Sequence, residues 1–272
     1  MRLAGVSGGW ATAVVAAGFR RSSTYRAATL AGIFTNTVFG FILCGVFAAV
    51  WAARPDAGGY DATQAITYVW IGQGLLAVVE MFGGGSPDDL AERIRSGAVA
   101  SDLARPASVL GWYLCLDLGR ACFQLLTRAG VPLVIGALVF GLTTPTVTGA
   151  LLVAVAVPVA VVVSFALRLL PALTAFWLLD TTGPRLLGGV LTIFFSGLTV
   201  PLVLLPDGLR EVTLLLPWAA LLQTPADLWL GRVSGVEAVA LLGVAIGWAV
   251  VLLGACRLVL AAGERRVVVQ GG

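Results

Sequence analysis

The chain has 272 residues, 59% of them hydrophobic and only 11% charged, with a mean hydropathy of +0.98. A soluble domain carries about 25% charged residues, so this chain lacks the polar surface to cover itself in water and must present apolar surface to lipid. Net charge is +3, all 17 basic residues are arginine, and no basic run interleaved with aromatics suggests a nucleic-acid partner.

Met1 to Phe19 holds one early arginine and a short apolar stretch, followed directly by Arg20, Arg21 and Arg26. That flank does not suit a cleaved signal peptide. With Trp10 and Phe19 among alanines and valines, the segment fits a helix lying at the cytoplasmic interface. A crossing helix needs about 20 predominantly apolar residues, and six stretches meet or approach this: 27–52, 66–82, 110–140, 147–170, 186–205 and 236–260. The third is too long for one straight crossing, so its first turns are expected to project into the cytoplasmic interface. The expected fold is one all-α membrane domain over residues 1–272, with six transmembrane helices.

Orientation follows from arginine placement. With the N-terminus inside, Arg2, Arg20, Arg21, Arg26, Arg93, Arg95, Arg105, Arg168, Arg185, Arg257, Arg265 and Arg266 fall on the cytoplasmic side. Only Arg54, Arg210 and Arg232 fall outside. Both termini are therefore expected in the cytoplasm. The region 206–232 has an apolar core, Val212 to Leu222, interrupted by Pro217 and flanked by Asp207, Arg210, Asp227 and Arg232. Its length suits a re-entrant or interfacial segment on the outer side.

The long polar stretch on the cytoplasmic side is 86–106, SPDDLAERIRSGAVASDLARP. Ser86 or Pro87 can open a helix, and Asp88, Asp89 and Glu92 fill its first turns, where the helix dipole favours negative charge. Glu92 and Arg95 share a face and Gly97 is a stop. Two readings stay open: a solvated loop, or a helix that docks a cytoplasmic partner.

Charges inside the membrane are expensive and point to function. Asp117 and Arg120 stand three apart on one helix face and can neutralise each other, with Arg128 roughly on the same side. An ion pair packed in the bundle and a role in a cavity or gate both fit. Glu80 ends the second stretch within reach of Arg120, and Asp180 stands near Arg185. Asn36, between Thr35 and Thr37, is a polar contact for a substrate cavity. Gly243 and Gly247 have the small-xxx-small spacing that lets helices approach.

Cys44, Cys115, Cys122 and Cys256 fall in apolar stretches without a CxxC and read as small buried residues. No histidine is present, hence neither the usual general base nor the usual metal ligand, and no metal site is expected. No GxxxxGK[ST] loop or GxSxG elbow occurs, so no catalytic residue is assigned and any ATP chemistry must lie on another chain.

The chain resembles the ABC type 2 permeases, and among them exporter permeases of about this length. The resemblance rests on FRRSSTYRAATLAGIFTN, TYVWIGQGLL, LAERIRSGAVASDLARP, SFALRLL, AFWLLD, FFSGLTVPLVLLP, LPWAALLQTPADLWLG and the terminal ERRVVVQGG. It covers nearly the whole chain in order. It implies a bacterial inner-membrane permease that pairs with a second permease chain, identical or related, and docks two copies of a cytoplasmic ABC ATPase. ATP and Mg would sit on that ATPase. By position, 86–106 is the coupling region, with Asp88, Asp89, Leu90, Glu92, Arg93, Ile94, Arg95 and Gly97 facing the partner, and 206–232 is the outer re-entrant region. The implied activity is export of hydrophobic or amphipathic small molecules such as drugs, dyes and natural products. A lipid or other-solute translocator and a non-transporting scaffold or sensor are the alternatives. The chain departs from the pattern at MFGGGSPDD, where a large aromatic is expected; Gly83 to Gly85 would loosen the link to the coupling helix.

Overall fold

The structure, a computed structural model, describes residues 9–55, 57–178 and 180–266. Arg2 and the last six residues of ERRVVVQGG lie outside them. Among the described residues the regular elements are all helical. In chain order they are α1 (Gly9–Thr24), α2 (Arg26–Ala53), α3 (Ala62–Val78), α4 (Ser86–Arg95), α5 (Val99–Leu103), α6 (Val109–Gln124), α7 (Gly130–Phe140), α8 (Val147–Leu173), α9 (Thr182–Phe195), α10 (Asp207–Leu215), α11 (Gln223–Trp229) and α12 (Gly235–Glu264).

Four helical stretches are long and apolar enough to cross a membrane: α2, the joined α6–α7, α8 with its following turn, and α12. α6 runs into α7 through one π-helical turn, Leu125–Ala129, giving a continuous 32-residue helix. Two further helices, α3 and α9, are shorter. The stretch expected at 66–82 is helical over 62–78, and that expected at 186–205 is helical only over 182–195. α3 starts early because Asp61 and Gln64 form a reciprocal capping box: Asp61 Oδ1 accepts from the Gln64 N–H at 2.8 Å. α9 stops at Ser196 because Gly197 takes a φ of +89°, and Pro201 and Pro206 follow.

The break after α9 is packed inside the protein. Ser196, Gly197, Pro201 and Leu202 are buried. The Tyr68 hydroxyl donates to the Gly197 carbonyl at 2.9 Å, and the Leu202 N–H donates to Gln223 Oε1, also at 2.9 Å. Irregular backbone at such depth needs these substitutes for the missing helical bonds.

α8 is the central column, with α12 packed along it. The contact uses small residues, Ala156, Ala160 and Ala166 on α8 and Ala238, Ala245, Ala249 and Cys256 on α12, all buried. Between lipid-exposed helices no hydrophobic drive remains, so close approach and summed dispersion hold them together. Gly243 and Gly247 do not serve here: both face outward, with nothing within 4 Å of a Cβ. Cys44 and Cys256 are buried and Cys115 half-buried, whereas Cys122 departs from the expected burial and is exposed on the outer face of α6.

α1 lies against α6 at backbone contact. A Cβ on Gly18 would stand 2.2 Å from the Leu116 carbonyl oxygen, and one on Gly119 2.0 Å from that of Val15. Trp10 stacks on Trp112 and Phe19 meets Phe123 edge-on.

The two ends of the bundle differ. At one lie α4 and α5. At the other lie the α2–α3 connection, the α7–α8 loop, α10 and α11, joined by a bond from Trp229 Nε1 to the Thr143 carbonyl at 2.8 Å and by Arg232 donating to the Gly59 carbonyl. Within 206–232, burial sits later than the apolar core 212–222 suggests. α10 is largely exposed, while every residue from Ala219 to Leu228 is buried.

Candidate functional site

α4 is a short helix set by local signals. Gly85 precedes it with φ +75°, Pro87 sits in its first turn with Asp88 and Asp89, and Arg93 and Arg95 fill its last turn. Gly97, at φ +77°, stops it. Its apolar face is turned into the chain: Leu90 is fully buried, and Ala91 and Ile94 are buried beside it against α8 and α6. Leu90 and Ile94 therefore anchor the helix rather than offer surface to a partner.

The charged residues of α4 divide into two sets. Asp89 is held by a bidentate pair with Arg21 of α1, the longer contact being 3.1 Å, and Asp88 forms an ion pair with Arg185 of α9 at 2.9 Å. Arg93 reaches Asp102 of α5, with Nη2 at 3.0 Å from Oδ1, and also the Ser101 hydroxyl at 2.8 Å. Asp102 is 3% exposed and gathers Arg93, Arg105 at 3.1 Å and the Tyr113 hydroxyl at 3.1 Å. These contacts bind α4 inward. Glu92 and Arg95 pair with each other on the outward face, beside exposed Ser96 and Gly97.

Behind α4 lies a buried charge cluster. Asp117 on α6 has no exposure and accepts from two arginines: Arg120 Nε at 3.0 Å and Arg168 Nη2 of α8 at 2.7 Å. Arg120 also pairs with Glu80 at 2.6 Å and donates to the carbonyls of Ala77 at 2.8 Å and Val78 at 2.9 Å. It thus caps the C-terminal carbonyls of α3, at the negative end of that helix. Two carboxylates and two guanidinia balance, and backbone carbonyls use the remaining donors, the condition under which buried charge is tolerated.

The cluster grips the turn joining α3 to α4. Gly83, Gly84 and Gly85 all have positive φ, and Arg168 Nη1 donates to the Gly84 carbonyl at 2.8 Å. A Cβ on Gly85 would lie 3.1 Å from Arg168 Nη1 and 3.2 Å from Asp117 Oδ1. Gly85 therefore fits a tight cradle and the Gly84 carbonyl is held, whereas a Cβ at Gly83 would meet nothing within 4 Å.

Arg128 does not join this cluster. It lies in the π-helical turn, about two helical turns beyond Arg120, where the extra residue rotates it toward α2. There it reaches Asn36 Oδ1 at 3.5 Å, while the Asn36 amide donates to the Gln73 carbonyl at 3.0 Å. Asn36, 3% exposed, ties α2 to α3. Asp180 Oδ1 accepts from the Thr182 N–H at 2.8 Å at the start of α9, while Arg185 turns to Asp88.

Sequence reasoning missed Arg168, Asp102 and Arg21 as partners. An arginine in the apolar run SFALRLL was a signal for Arg168, since a lone charge at that depth needs a counter-charge. A second network was missed at the far end. The Tyr60 hydroxyl donates to Asp227 Oδ1 at 2.8 Å, and Gln223 Nε2 donates to both Asp227 oxygens at 3.0 Å.

Helices long and apolar enough to cross a membrane, with buried charges paired between them, describe an integral membrane protein. The chain belongs to the ABC-2 family of transporter proteins, whose family model matches residues 32–271. Proteins of this family are membrane permeases of ABC transporters and associate with an ABC ATPase subunit. No curated protein and no solved structure matches the chain.

Proposed function

We propose that this chain is the permease subunit of an ATP-driven exporter, moving hydrophobic or amphipathic small molecules from the cytoplasm or inner leaflet. In this reading the chain crosses six times, the four long helices being joined by α3 and by α9 with residues 196–206. Both termini and α4 lie in the cytoplasm of a bacterial cell, and residues 206–232 form the re-entrant outer end. Two ATPase subunits, carrying ATP and Mg, dock on this chain and on a second permease, identical or related.

The observation that carries the reading is the division of charge on α4. Asp88, Asp89 and Arg93 are tied to α9, α1 and α5, whereas Glu92 and Arg95 face outward. A helix so held passes a push on its outer face to several elements at once. Exchanging both outward charges, Glu92→Arg with Arg95→Glu, should lower permease-stimulated ATP hydrolysis about tenfold or more while the protein stays folded. Unchanged stimulation, with the ATPase still co-purifying, would remove α4 as the docking element.

A further inference from the structure

A cleft of about 430 Å³ opens between α8, α9 and the turn after α3. It runs along α9 from Thr182 to Ile193, about 16 Å at 1.5 Å per residue, and its polarity changes along that length. One end is lined by Asp88, Arg168 and Arg185 with Gly83 and Gly84. The other is walled by Met81, Leu186, Val190 and Ile193, and Gly189, where a Cβ would meet nothing within 4 Å, leaves the wall of α9 open there.

The charges at the polar end are unequally committed. Arg168 is spent on Asp117 and the Gly84 carbonyl, and Asp88 forms an ion pair with Arg185. Arg185 Nε is buried and has no acceptor among the described residues. A buried donor left open is costly, and an ionised acceptor satisfies a guanidinium best. We propose that this cleft is a binding site for amphiphiles with an anionic head group, phosphate or carboxylate, the head meeting Arg185 and the chain lying along α9. The proposal rests on the permease reading and names the substrate class of that permease.

The test is equilibrium binding to the full chain in phosphatidylcholine nanodiscs without any ATPase, so that its failure is separate from failure of the coupling assignment. Partitioning into protein-free discs is the baseline. Dodecyl phosphate should bind saturably and at least about tenfold more tightly than dodecyltrimethylammonium. Gly189 lines the cleft and a Cβ there meets nothing within 4 Å, so Gly189→Phe adds a ring at the cleft wall with no clash at its Cβ and should abolish saturable binding. Arg185→Gln should weaken dodecyl phosphate about tenfold, and Asp88→Asn, which frees the guanidinium, should tighten it. Phosphatidylglycerol in the discs separates the sources: competition marks a lipid head group as the occupant, undiminished binding a free amphiphile, and both retain the site. Equal binding of the cationic probe, or saturable binding that survives Gly189→Phe, overturns the proposal.

Discussion

Asp117 is fully buried and flanked by Arg120 and Arg168, with Glu80 completing the charge balance. Removing one member of such a set leaves uncompensated charge behind, which costs about 3–5 kcal/mol. Asp117→Asn should therefore lower the thermal unfolding midpoint in detergent far more than Glu92→Gln, whose exposed pair is worth about 0–1 kcal/mol. At the opposite end, Asp227 lies in α11, outside the long helices. Burial holds its carboxyl above the usual range, only partly offset by the bonds from Gln223 and Tyr60. A raised folded-state pKa favours the protonated form, so its contribution to stability is complete below the ordinary carboxylate range and is lost as pH rises through the raised value. The groups facing it are Tyr60, Gln223, Arg232 and Glu237. Unfolding midpoints measured against pH should fall across that window, and Asp227→Asn should flatten this part of the profile.

At the scale of elements, α4 works through its ties. The Arg21–Asp89 pair is substantially exposed on the arginine side, so its contribution to stability is about 1 kcal/mol or less. Its consequence is positional, linking α4 to α1 and through Gly18 and Gly119 to α6. Asp89→Arg should leave the unfolding midpoint within a few degrees of the parent and lower ATPase stimulation. The exchange of both charges, Asp89→Arg with Arg21→Asp, should restore stimulation, measured on the reconstituted transporter. The helix α4 itself was legible in the sequence because its signals are local: proline and acids first, basic residues and glycine last. Its tethers were not, since Arg21 and Asp89 are separated by 68 residues.

For the whole molecule, the six-crossing arrangement proposed above predicts Ser96 and Asp207 on opposite sides of the membrane. With Cys44, Cys115, Cys122 and Cys256 replaced by alanine, Ser96→Cys should react with an impermeant maleimide only in inverted vesicles. Asp207→Cys should react only in right-side-out cells. Labelling of both from one side would sink the topology. The four helices long and apolar enough to cross a membrane were legible because a long apolar run needs no tertiary information to be recognised. The ends of α3 and α9 were misjudged because apolar runs do not reveal where a helix stops. Asp61 with Gln64 starts α3 early, and Gly197, backed against Tyr68, ends α9 midway.

Composition and periodicity alone determined the solvent, the helical class and the absence of a phosphate loop, because each is a sum or a short-range pattern along the chain. Only the tertiary structure decided which charges neutralise one another. Asp117 meets Arg168 across 51 residues, Arg128 is turned away to Asn36 by a π-helical turn, and Gly84 and Gly85 are held against Arg168. Those outcomes depend on how α3, α6 and α8 pack, and a buried charge takes whichever partner that packing brings within bonding distance.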